Sequence, residues 1–91
     1  MDQILIEHNP ATVKLEVMGI FGWPIWSKEA STFPWSYDQT ETCYFLEGEV
    51  VVTPEGGEPV EMGAGDLVTF PKGMSCTWEI RQDVKKHYNF E

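Results

Sequence analysis

From residue 41 onward the chain is a succession of short β-branched and aromatic runs, each cut off by Gly or Pro before it reaches helical length. Thr42-Cys43-Tyr44-Phe45-Leu46 stops at Glu47-Gly48, and Glu49-Val50-Val51-Val52-Thr53 stops at the turn from Pro54 to Pro59. Val60 to Met62 ends at Gly63-Ala64-Gly65-Asp66, and Leu67 to Phe70 at Pro71-Lys72-Gly73. Cys76 to Ile80 and Val84 to Phe90 complete the series. Strands of this length, with turn signals about every eight to twelve residues, predict an all-β barrel or sandwich. Within it, Glu47-Gly48 reads as a tight hairpin turn joining the two runs on either side.

The first forty residues are less regular. Ile4 and Ile6, then Val13, Leu15 and Val17, alternate loosely around Asn9-Pro10, which predicts a strand, a turn, and a second short strand or single helical turn. No helix beyond one turn is expected. Residues 19–34 carry Gly22, Pro24 and Pro34 among Phe21, Trp23, Ile25, Trp26 and Phe33, a composition that favours bends and short strands packed by their rings.

A chain of 91 residues provides one core, so residues 1–91 are read as a single domain. Fifteen acidic against six basic residues give a net charge of −9, which disfavours nucleic acid and anionic membranes as partners. No apolar run has the length of a membrane span, and the first twenty residues lack the basic start and apolar stretch of a signal peptide. The expected compartment is the cytoplasm, with Cys43 and Cys76 as reduced thiols.

Two segments carry a family pattern. Trp35, Tyr37, Glu41 and Gly48 fall at the spacing of the first cupin motif, in which two histidines precede a glutamate and a closing glycine. Gly65, Pro71 and Gly73 fall at the spacing of the second, with Cys76 at its histidine and Ile80 at its asparagine. With Trp23-Pro24-Ile25-Trp26 and Lys86-His87-Tyr88-Asn89-Phe90, the chain resembles the small single-domain cupins grouped with (S)-ureidoglycine aminohydrolase, within the RmlC-like superfamily. The resemblance implies a cupin jelly-roll barrel, or double-stranded β-helix, with a pocket at its open end. It also implies a metal site of three imidazoles and one carboxylate, but only Glu41 stands here as a usual ligand. Glu41 and Cys76 would leave a two-ligand site for a divalent metal, so no cofactor is expected. His8 and His87 lie outside both motifs and are read as ordinary surface or strand histidines.

Strand alternation places Glu41, Cys43 and Phe45 on one face and Cys76, Trp78 and Ile80 on one face of a neighbouring strand; the family geometry turns both faces inward. The expected ligand-binding set is then Trp35, Tyr37, Glu41, Cys76 and Trp78, with Trp23 or Trp26 as further walls. Trp23, Trp26 and Phe33 are otherwise read as filling the core. A carboxylate inside such a barrel needs a proton or a donor, and Tyr37, Thr40, Thr42 and Lys86 are the candidates. Three functions stay open on sequence: a metal-independent barrel binding a small organic metabolite, an enzyme, or an interaction module with a vestigial pocket. The enzyme would use Glu41 as general acid or base and Cys76 as nucleophile or metal ligand. A homodimer paired through an edge strand is expected.

Overall fold

The computed structural model describes residues 3–91. In chain order its elements are β1 (Leu5–His8), α1 (Thr12–Met18), a 3₁₀ turn (Ile20–Gly22), β2 (Ile25–Lys28), β3 (Ser31–Ser36), β4 (Glu41–Pro54), β5 (Val60–Gly63), β6 (Asp66–Phe70) and β7 (Ser75–Phe90). The long strands β4 and β7 run antiparallel from Glu41 opposite Phe90 to Pro54 opposite Cys76. One half of this ribbon is flanked by β6, extended by β1, and by β2; the other half is flanked by β5 and β3. All of these pairings are antiparallel. The result is an all-β barrel, as the strand and turn pattern predicts, in the cupin jelly-roll form that the family resemblance implies.

The ribbon bends in its middle. Pairing loses register between Phe45 and Val50, where β-bulges interrupt the ladder. Gly48 is not the hairpin turn that its local sequence predicts; it lies inside one continuous fourteen-residue strand. Its φ is 108°, and a Cβ there would lie 2.7 Å from the Asp83 carbonyl oxygen and 2.8 Å from the Val84 Cα. Only glycine lets β7 pass that close. The bulge also shifts the phase of β4: Glu41, Cys43 and Phe45 are buried before it, Val50 and Val52 after it. Cys76 to Ile80 and Val84 to Phe90 are likewise one strand, with its exposed kink at Arg81 to Asp83.

The bent halves close on one core. Trp78 of the β3 half lies 5.6 Å from Phe70, 6.3 Å from Phe45 and 5.9 Å from Trp26 of the β2 half, between ring centroids. A smaller cluster of Leu15, Ile20 and Leu67, with Trp23 and Tyr44 against it, seats α1 on the barrel. That seven-residue helix corrects the expectation of a strand or single turn over Val13 to Val17. Gly19, left-handed at φ 74°, ends it by returning its N–H to the Glu16 and Leu15 carbonyls. Only Leu15 of the three alternating residues is buried, because the helical period carries Val13 and Val17 to the outside. No helix among the described residues is long and apolar enough to cross a membrane.

Candidate functional site

The strand alternation of β7 builds the site. Trp78, Lys86, Tyr88 and Phe90 share one parity and line a cavity of about 180 Å3. Trp26 of β2, Phe33 and Trp35 of β3, Tyr37 of the following loop and Glu41 of β4 complete the lining. Trp35 and Phe90 are exposed and form the mouth, whereas Tyr37, Glu41, Trp78 and Lys86 are buried. Trp78 is the central wall: Phe33 stacks on it at 6.0 Å and Trp26 meets it edge-on. Tyr37 stacks on Phe70 at 4.9 Å with ring planes 8° apart.

The polar floor is an ion pair. Lys86 Nζ donates to Glu41 Oε2 at 2.5 Å, and the two side chains are 5% and 4% exposed. Of the donors weighed for Glu41, the fold supplies Lys86. Two neighbours set its position: Lys86 lies between Phe45 of β4 and Trp26 of β2 in the sheet. Its ammonium lies 4.7 Å from the Trp78 ring centroid and 5.0 Å from that of Trp26, with Phe70 and Phe45 within 6 Å, so quadrupole attraction joins the Coulomb term. Burying two charges is costly even when they pair, and losing either partner strands the other in an apolar cavity.

Tyr37 accepts a hydrogen bond from Trp78 Nε1 at 3.2 Å, leaving the phenolic proton to be donated. Burial, reinforced by the negative charge of Glu41, raises the phenol far above its ordinary range, so it remains a neutral donor. Both cysteines are free and buried. Burial pushes Cys43 up to about 12, with Lys86 opposing the shift, and it raises Cys76 as well. Cys76 Sγ points to the Trp35 carbonyl oxygen at 3.6 Å, and the residue is not among those lining the cavity. The structure therefore brings Trp35, Tyr37, Glu41 and Trp78 of the expected set together and sets Cys76 behind the wall, as a protonated thiol.

The cupin fold raises the question of a metal, and this donor set does not fit one. Trp35 and Tyr37 stand at the histidine positions, the Cys76 thiol turns to a backbone carbonyl, and the cation held by Glu41 is the chain's own ammonium. Among the described residues no three His, Cys, Asp or Glu side chains converge. His8 pairs with Asp66 at 2.7 Å on the surface, and His87 Nδ1 lies 2.9 Å from the Trp23 carbonyl.

Trp26, one of the two further walls expected, lines the cavity, whereas four lining residues, Lys86, Phe33, Tyr88 and Phe90, stand outside the expected binding set. The signal for three of them was present: the even positions of Cys76 to Ile80 continue through Lys86, Tyr88 and Phe90, but only if the two runs are one strand. Trp23, weighed as a wall, packs instead against the Leu15 cluster.

This architecture and its motif spacing agree with the comparisons. Residues 15–88 match the EutQ-like cupin domain. The chain belongs to the EutQ-like cupin family. A DUF861 family protein from Thermotoga maritima is 49% identical over 98% of this chain and all of its own, with a TM-score of 0.95. A Salmonella typhimurium protein named as ethanolamine utilization protein Q is 32% identical over 72% of this chain, with a TM-score of 0.65; this EutQ-like cupin covers 53% of that longer protein. An RmlC-like cupin from Shewanella frigidimarina, 15% identical over 72% of this chain and 64% of its own with a TM-score of 0.56, shares the fold. No curated protein sequence matches the chain.

Proposed function

We propose that this EutQ-like cupin is a metal-independent binding barrel for a small organic metabolite with a flat apolar body and one polar end. The buried Lys86–Glu41 pair facing an aromatic cavity carries the reading, because a pair serving stability alone gains nothing from a cavity beside it. The walls of Trp26, Phe33, Trp35 and Trp78 suit a planar group. Tyr37 O–H and the remaining Lys86 N–H groups suit an acceptor such as a carbonyl or carboxylate oxygen. A cavity of about 180 Å3 is smaller than the ~300–1,000 Å3 typical of drug-sized sites, so the occupant is small.

A second reading, an acid-base enzyme of the ureidoglycine aminohydrolase type, draws support from the donor and acceptor 2.5 Å apart at the cavity floor. Burial raises the Cys76 thiol, which favours Glu41 and Lys86 over Cys76 as the reacting groups of such an enzyme. We also retain the homodimer, which exposed Val13, Val17, Phe21 and Ile25 support; sedimentation equilibrium decides it. The binding reading is tested by a metabolite screen on wild type, Trp35→Ala and Glu41→Gln. Ligands that stabilise wild type and lose their effect in both variants support it. Ligands bound equally by all three place binding elsewhere, and turnover of a bound compound favours the enzyme.

A further inference from the structure

We propose that Lys86 is a carbonyl-capturing amine, and that the cavity holds a small aromatic aldehyde or ketone as an imine on Nζ. The inference deepens the binding reading and rests on it. Lys86 is 5% exposed along its side chain, yet it lines the cavity. It thus combines shielding from bulk water with access to a ligand, the setting in which a lysine becomes a nucleophile. The other four lysines, Lys14, Lys28, Lys72 and Lys85, are outside this cavity.

The neighbours supply what imine formation needs. Glu41 Oε2, 2.5 Å from Nζ, accepts a proton from the ammonium and frees the nitrogen lone pair. That pair forms the C–N bond at the carbonyl carbon while the C=O π electrons move to oxygen, toward the Tyr37 hydroxyl donor. Tyr37 and Lys86 line the same cavity, and the Tyr37 hydroxyl and Lys86 Nζ both approach the Trp78 indole, at its Nε1 and its ring face. A proton passes from nitrogen to that oxygen to give the carbinolamine. The protonated Glu41 then returns its proton to the hydroxyl, the C–O bond breaks, water leaves, and the nitrogen pair closes the C=N bond. One ammonium and one carbonyl become one iminium and one water, with no change of oxidation state. The iminium keeps its positive charge beside the restored Glu41 carboxylate, so capture leaves the charge balance of the cavity unchanged. The conjugated product is planar and meets the ring faces of Trp26 and Trp78 that already flank Nζ.

The test is borohydride trapping on the full chain with benzaldehyde as probe, read by intact mass and peptide mapping. We expect one benzyl group, on Lys86, at a rate about tenfold or more above any other lysine. Lys86→Arg, which keeps the cation, should lose the adduct, and Glu41→Gln should slow it by about a hundredfold. Should Lys86→Arg not fold, protection of wild-type Lys86 by excess benzyl alcohol replaces it. Labelling spread evenly over the lysines, or unchanged in Lys86→Arg, overturns the proposal. Benzyl alcohol has no carbonyl and reports the cavity alone through tryptophan fluorescence. Quenching by alcohol and aldehyde without a Lys86 adduct refutes the imine and leaves the binding reading standing. Response to neither refutes both.

Discussion

Removing the ammonium from the cavity floor should cost this protein a large share of its stability. In Lys86→Met the Glu41 carboxylate, 4% exposed, loses its 2.5 Å donor and faces aromatic rings. Breaking a buried pair on one side costs about 3–5 kcal/mol. At roughly 0.05–0.15 kcal/mol per residue, a 91-residue chain holds about 5–14 kcal/mol in total. The melting temperature should therefore fall by at least about 12 °C, at about 4–8 °C per kcal/mol for a domain of this size. Glu41→Leu should cost less, because the stranded ammonium keeps the ring faces of Trp78 and Trp26, each worth about 0.5–2 kcal/mol. The double variant Glu41→Leu with Lys86→Met leaves no unpaired charge and should recover most of the loss, a coupling of roughly 3 kcal/mol. Urea denaturation of the four proteins at pH 7 measures the cycle. Additivity within about 0.5 kcal/mol, or a Lys86→Met loss below about 1 kcal/mol, would refute the reading of the pair as mutually dependent.

Alkaline pH should destabilise the fold through Cys43. Its thiol is raised from 9.0 to about 12, so between those values the unfolded chain releases a proton that the folded chain keeps. This thiol's contribution is full below pH 9 and falls by about 1.4 kcal/mol per pH unit above it; Cys43→Ala should make the alkaline slope shallower by that amount in urea titrations, the remainder belonging to Cys76 and Tyr37, which burial also raises. The same protonation should leave both cysteines inert to a disulfide reagent at pH 8 until denaturant is added; rapid labelling of Cys76 in the native state would contradict its place behind Trp35. Gly48→Ala should lose about 1–3 kcal/mol or more, since its Cβ would meet the Asp83 carbonyl at 2.7 Å; a neutral result in thermal melts would mean the bend tolerates a side chain. Elemental analysis should find well under one transition metal per chain, and a stoichiometric metal lost in Glu41→Ala would reverse the assignment of Lys86 as the cation of this site.

The sequence by itself determined the strands, most of their turns and the facing of the site. Period-two alternation is a local property, so Glu41, Cys43 and Phe45, and likewise Cys76, Trp78 and Ile80, share a face without reference to any partner, and the family resemblance turns those faces inward. Spacing of glycine and proline identified the cupin motifs, because those residues answer to backbone geometry more than to neighbours. Where a glycine serves a distant approach, the sequence misled: Gly48 has the local look of a hairpin turn, and only the proximity of Asp83 shows it to be the bend of a continuous strand. Joining Val84 to Phe90 onto Cys76 to Ile80 depended on that same bend. Lys86 was one of four candidate partners for Glu41, separated by 45 positions from it, and choosing among them required the β4–β7 register. Cys76 faced inward as alternation demands, but the wall formed by Trp35 decided that its thiol meets a carbonyl and not the cavity. Facing is fixed by the pleat of one strand, whereas contact is fixed by how two bent halves close on each other, and that closure is where the tertiary structure alone decided.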